Sequence, residues 1–320
     1  MLEVYITAFF LSLFLLYVSG KWIIGGLERT ARFLGWREFV VAFFIMAFAA
    51  SLNNLFVGIA SAVNKIPQLS FGDVVGGNVI DLTLALALAI LFSPKKEITA
   101  ESRMVQSASV FTFIAAIFPL ILVSDGRLSR IDGGLLIAFF LLYFFWTFSK
   151  RDRFGKVYDG PSLNPVKDFK LFLKDLVKII AGVVLLLIAA EGIVNSAQFF
   201  ASSFHLPLTL VGILIVGLGN ALPETYFAVI AARKGSGWMI LGNLMGAVIT
   251  AALLVLGIVA LIRPIEIADF SPFVIARTFM LISVVFFLFF IRNDRKLTEK
   301  EAVFLLSIYI LFVLSEIFIR

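Results

Sequence analysis

The chain has 320 residues, 61% of them hydrophobic and 15% charged, with a mean hydropathy of +1.05; so little polar surface cannot clothe a water-soluble globule. Thirty-six Phe and no Cys exclude a disulfide scaffold and a thiolate metal site, leaving oxygen donors or the single His205 to hold any cation. The net charge of +6 is scattered between apolar runs and does not line one face, which fits membrane flanks and not nucleic acid.

Crossing the hydrocarbon core takes about 20 apolar residues in a helix, and runs of this length satisfy their backbone groups as helices more readily than as barrel strands. Ten such runs follow in chain order: 5–24, 38–63, 71–92, 105–123, 131–148, 171–198, 206–232, 238–262, 272–291 and 302–319. The first is read as a retained helix, because no basic stretch or small-residue cleavage motif accompanies it and Glu3 stands where a secretory signal carries Lys. Of the 27 Lys and Arg, 21 fall in the segments 21–37, 95–103, 150–178, 233–234 and 292–300, which alternate with the poorer connections. Basic residues stay on the cytoplasmic side, so both termini are expected outside. Residues 150–170, with Gly155, Gly160, Pro161, Asn164 and Pro165 among their charges, read as a cytoplasmic linker.

Shifted by 170 residues, the chain aligns with itself without a gap: Gly72 falls on Gly242, Gly76 on Gly246, and the polar cluster Ser51-Leu-Asn-Asn54 on Ala221-Leu-Pro-Glu224. Each half holds five spans, an odd number, so the second half enters the membrane from the opposite side. The expected fold is therefore an all-α integral membrane protein of ten transmembrane helices in two inverted five-helix repeats. Residues 1–149 form the first repeat, 150–170 the linker and 171–320 the second. Inverted repeats are a transporter architecture with the site near the midplane, where the halves meet.

Asp81 and Glu224 lie well inside apolar spans, where an uncompensated charge is expensive, so they are the first candidates for a site. Pro223 before Glu224 removes an amide, and Gly217 and Gly219 loosen the turn ahead of it. A break in the helix is expected there, with freed carbonyls joining the carboxylate in an oxygen cage for Na⁺ or Ca²⁺. Ser51, Asn54, Asn220, Asn243 and Thr250 offer neutral oxygens, whereas Ala251, the counterpart of Asp81, offers none. Asp73 either lines the outer vestibule or caps the start of the third span; the cap is preferred, because the helix dipole favours an anion there. Two central carboxylates balance one divalent ion, or two Na⁺ or two H⁺. Gly72, Gly76, Gly242 and Gly246 are read as close-packing positions, Glu316 as solvated near the outer surface, His205 as an interfacial residue, and Lys21 and Glu191 as repeat partners that pair or snorkel apart.

At these residues the sequence resembles the cation/Ca²⁺ antiporter superfamily, the sodium/calcium exchangers. Their repeats carry G-[ST]-S-x-P-E and G-N-x-x-G-[SA]. The second repeat here reads Gly219-Asn-Ala-Leu-Pro-Glu224 and Gly242-Asn-Leu-Met-Gly-Ala247; the first reads Ala49-Ala-Ser-Leu-Asn-Asn54 and Gly72-Asp-Val-Val-Gly-Gly77, without the Pro and the Glu. The segment Leu27-Glu-Arg-Thr-Ala-Arg32 is similar to the family's first loop. The resemblance implies two loosely packed gating helices sliding over an eight-helix core, with ions held between helices 2, 3, 7 and 8 at Asn54, Asp81, Glu224 and Ala251. It implies a secondary antiporter that exchanges Ca²⁺ or a related cation for Na⁺ or H⁺, with inorganic cations and the plasma or inner membrane bilayer as its partners. No cofactor and no enzymatic step are expected, and a monomer is. The competing reading is a non-transporting membrane receptor or assembly protein on a degenerate exchanger fold. An intramembrane hydrolase would need a nucleophile and base or a His-rich motif within the spans, and the sequence has neither.

Overall fold

The computed structural model describes residues 1–33, 51–101, 103–149, 165–235, 237–267, 270–293 and 295–318. Among the described residues the protein is helical apart from two short strand pairs, with ten helices: α1 (Leu2–Phe33), α2 (Leu52–Val63), α3 (Pro67–Leu91), α4 (Arg103–Leu122), α5 (Arg130–Ser149), α6 (Pro165–Phe204), α7 (Leu208–Arg233), α8 (237–262), α9 (Phe270–Asn293) and α10 (Glu299–Phe318). Nine carry an apolar stretch long enough to cross a bilayer; for α2 the first part of the expected span, up to residue 50, lies outside the described residues. α6 is 40 residues long and begins at Pro165, so 165–170, the end of the expected linker, are helical. Residues 150–164 lie outside the described residues.

Burial separates the helices by role. Of the best apolar window, 83% is buried in α3 and 78% in α8, against 22% in α1 and 33% in α6. α3 and α8 are thus the central pair, and their near-continuous apolar sequence reads as burial on every side. α1 and α6 pack chiefly along each other, backbone close to backbone where Gly26, Gly182 and Gly192 leave room. At one end Arg29 clamps them by donating from Nε and Nη2 to the two Asp175 oxygens at 2.8 and 2.7 Å. The buried apolar residues form two clusters accordingly. One spans α3, α4, α5, α8, α9 and α10 with parts of α2 and α7; the other joins α1 and α6 to the remaining faces of α2, α3 and α7. The gating pair of the resemblance is therefore tight within itself.

Two short antiparallel clasps tie the halves together. β1 (Glu97–Thr99), after α3, pairs with β4 (Lys296–Thr298), before α10; β2 (Arg127–Leu128), after α4, pairs with β3 (Ile265–Glu266), after α8. One membrane-spanning helix, α4, separates β1 from β2, so the clasps lie at opposite ends of the bundle. A shift of 170 carries β2 into β4, as the inverted repeat requires. Matching capping boxes start α5 and α10: the backbone N–H of Ser129 donates to Asp132 and that of Thr298 to Glu301, each at 2.8 Å. Around β1 the basic connections gather, with Lys96 paired to Glu299, Lys296 3.7 Å from Glu97, and the start of α8 at Gly237 against Ile98.

Candidate cation site between helices 2, 3, 7 and 8

The site is built on a glycine crossing between α3 and α7. A Cβ on Gly72 would strike the carbonyl of Thr209, one on Gly76 the carbonyl of Ile213, and one on Gly212 the carbonyl of Leu69. Gly217 answers from α7 with Gly77 N and Asp73 O at 3.0 and 3.1 Å from its own Cβ position. The helices meet backbone to backbone, as close packing in lipid favours. The close-packing reading of Gly72 and Gly76 therefore holds. For Gly242 and Gly246 the matching segment of the first half, 39–47, lies outside the described residues.

Each central helix departs from α geometry at this level. Asp81–Ala85 in α3, Gly212–Val216 in α7 and Thr250–Val255 in α8 are π-turns, and the first and third coincide under the 170-residue shift. Such turns leave a carbonyl without its helical donor and often mark functional sites. Asp81 opens the first of them. Pro223, by contrast, does not break α7: the helix runs on from Gly217 to Arg233, and the irregularity lies two turns earlier, at 212–216. What Pro223 removes is one amide, which leaves the Gly219 carbonyl without its i+4 donor.

Asp73 is not a helix cap. α3 starts at Pro67, so Asp73 sits mid-helix, fully buried, and both of its oxygens accept from Asn220 Nδ2 at 3.0 Å. Early Pro67 at the first helical position was the signal for that start. Glu224 lies one turn beyond Asn220 on the same face of α7, and its carboxylate feels the charge of Asp81 and, more weakly, of Asp73. The opposed halves thus bring Asp81 and Glu224 together, with Asp73, a candidate for the site for which the cap was the preferred reading, as a third acid.

Asn54 and Ser51 belong to the start of α2, which packs against α3, α6 and α8; Asn243 and Thr250 lie on α8 against α3 and α7. Ser51, Asp81, Asn220, Glu224, Asn243 and Thr250 are all less than 9% exposed. Thr250 Oγ1 donates back to the Gly246 carbonyl at 2.8 Å, leaving its lone pairs. Among the described residues Asn54 Oδ1, Asp81 Oδ1, Asn220 Oδ1 and Glu224 Oε2 are buried and reach no hydrogen-bond donor; so are Asn53 Oδ1 and Ser70 Oγ, which were not among the sequence candidates. Ser70 lies in the first turn of α3, ahead of the span read from sequence, which is why it was missed. Buried acceptors without donors are costly, and a cation satisfies several at once. No group of three or more acidic or His side chains among the described residues forms a metal cage by itself; the buried oxygens available here are carboxylate, amide and hydroxyl. That set suits hard cations.

Of the remaining expectations, the one for Glu316 is overturned. Glu316 is 1% exposed and not solvated; it lines a cavity of about 280 Å³ between α7 and α10, with Leu206, Leu210, Val211, Leu214, Ile215 and Ile317. Glu191 on α6 accepts from Asn64 at the end of α2 at 3.0 Å and from Asn195 at 3.4 Å. His205 is exposed in the turn after α6, in the left-handed region with φ 54.

The chain is 28% identical over 309 residues to an uncharacterized membrane protein, MJ0091, of Methanocaldococcus jannaschii, with 96% of each chain covered. It is 25% identical to the sodium/calcium exchanger MaX1 of Methanosarcina acetivorans, with 95% of each chain covered. Among solved structures it superposes on the sodium-calcium exchanger NCX_Mj, soaked with 100 mM Na⁺ and 10 mM Sr²⁺, with a TM-score of 0.68 at 25% identity over 98% of this chain and 99% of that one. The model of the family described as sodium/calcium exchanger protein matches residues 4–149 and 174–318. With nearly its whole length matched, this ten-helix integral membrane protein belongs to the sodium/calcium exchanger family.

Proposed function

We propose that the protein is a secondary antiporter that moves Ca²⁺ or a related cation against Na⁺ or H⁺ by alternating access. Residues 1–149 and 171–320 act as its two repeats, and both termini lie outside. Asp81 and Glu224 bind the cation, and Ser51, Asn54, Asn220, Asn243 and Thr250 complete the oxygen shell. The observation that carries this reading is the set of buried, donorless oxygens on α2, α3 and α7 beside the two acids.

Coupling follows from charge. An empty site with two carboxylates is too costly to carry past an apolar gate, so the protein changes face only when loaded. One Ca²⁺ against two Na⁺ or two H⁺ balances Asp81 and Glu224.

The test is Ca²⁺ uptake by proteoliposomes holding the purified chain, driven by an outward Na⁺ or H⁺ gradient. Wild-type uptake is expected, and Glu224→Gln should abolish it; uptake that survives this change rejects the assigned site. A receptor without transport predicts that no cation shifts the melting temperature, so stabilisation by Ca²⁺ or Na⁺ excludes it.

A further inference from the structure

Asp73 holds no position in a charge-balanced pair of acids, yet it is fully buried at the centre of α3 and faces the site. Its backbone is held from both sides by α7: a Cβ on Gly212 would lie 2.9 Å from Asp73 N, and one on Gly217 3.1 Å from Asp73 O. The glycine crossing therefore fixes Asp73 against α7. Asn220, three residues past Gly217 and on the same side of the helix, meets the carboxylate there.

Both Asp73 oxygens lie 3.0 Å from Asn220 Nδ2, while Asn220 Oδ1 is buried and receives no donor. Turning the amide over would set its carbonyl oxygen against two carboxylate oxygens, acceptor against acceptors, and leave the NH₂ without a partner. Against an ionised Asp73 the amide therefore keeps this orientation.

We propose that Asp73 is a positioning residue: by taking the amide hydrogens of Asn220, it holds Asn220 Oδ1 toward the cation, beside Glu224. It acts through Asn220 and is not itself a ligand. An amide can present either an acceptor or a donor to a cation, and only the acceptor binds. A neutral amide at position 73 offers both a donor and an acceptor, so it would let Asn220 turn its NH₂ toward the site. The inference rests on the cation-binding reading of this site.

The experiment is a double-mutant cycle on the full chain, with Ca²⁺ and Na⁺ binding measured by calorimetry and the apparent KM and maximal rate of Ca²⁺ uptake measured in proteoliposomes. Wild-type protein must bind one of these cations; if it binds neither, it is the site assignment that fails. Given wild-type binding, Asp73→Asn is expected to weaken affinity by about tenfold, as for one lost contact to a charge. In an Asn220→Ala background the same change should alter affinity less than about twofold, because nothing remains to be oriented. Equal losses in both backgrounds, or no loss in the single variant, overturn the proposal and leave Asp73 acting through its own charge or through packing. If Asn220→Ala does not fold, the exchanged pair D73N/N220D answers instead. Asn at 73 then donates to one oxygen of Asp at 220 and leaves the other facing the site, so affinity should recover; affinity as weak as in D73N alone overturns the proposal.

Discussion

Gly76→Ala should separate α3 from α7 and disable exchange, while Gly77→Ala, one residue along, should be tolerated. An added Cβ at Gly76 would lie 2.8 Å from Ile213 Cα and nearer still to that residue's carbonyl oxygen, all of it backbone. Carbon atoms in ordinary contact sit about 3.5–4.0 Å apart, so the helices must part by roughly 1 Å. Overpacking of this kind costs about 1–3 kcal/mol. The shift also moves Asp81 away from Glu224, and a displacement of about 1 Å at a functional constellation can cost about a hundredfold in rate. At Gly77 the nearest atom to the added methyl is Gly217 O at 4.0 Å, an ordinary van der Waals contact, and Ala gains helix propensity of about 1 kcal/mol. Melting of the detergent-solubilised protein, followed by Trp fluorescence, is expected to fall by several degrees for Gly76→Ala and to hold or rise for Gly77→Ala. Proteoliposome exchange should drop in the first and persist in the second. Equal behaviour of the two variants would refute the backbone crossing as the element that sets the site.

Three further outcomes can be measured. The chain has no Cys, so pairs introduced for cross-linking act without background. A Cβ on Gly192 would lie 3.3 Å from Ser12 Cβ, close to disulfide spacing, so Ser12→Cys with Gly192→Cys should oxidise readily, tying α1 to α6 with exchange retained. Leu13→Cys with Gly219→Cys ties α1 to α7 across the Leu13 contact, and oxidation there should stop exchange until reductant is added. Ser129→Ala removes the hydroxyl that accepts from the Asp132 N–H, and Glu301→Ala the carboxylate that accepts from the Thr298 N–H; each should lower stability by about 1 kcal/mol in thermal melts, with the cation KM unchanged.

The ten helices were legible because hydropathy, charge bias and an odd number of spans per repeat are global properties that survive boundary errors. Asp81 and Glu224 stood out in the sequence because acids have no cheap place in apolar helices. What stayed hidden was local. The start of α3 was set four residues late because Gln68 and Ser70 dilute its first turn, and this turned a buried Asp73 into an apparent cap. Pro223 reads as a break in any single sequence, yet α7 continues through it because neighbouring helices hold the chain in place. The π-turns leave no pattern in residue type at all: Asp-Leu-Thr-Leu-Ala and Thr-Ala-Ala-Leu-Leu-Val share position, not chemistry. Glu316 was misplaced because its nearness to the terminus says nothing of the α7 face that covers it.

The strand clasps bear on biogenesis. Each joins a connection made early in translation to one made late: 97–99 waits for 296–298, and 127–128 for 265–266. The first five helices must therefore enter the bilayer with both strand edges open, and neither seam closes until the matching part of the second half has been inserted. Once both are closed, α3, α4, α8 and α10 are stapled at their ends on the two sides of the membrane. Ribosome stalling before residue 265 would trap a nascent protein with two unmatched edges, a form for membrane quality control to recognise.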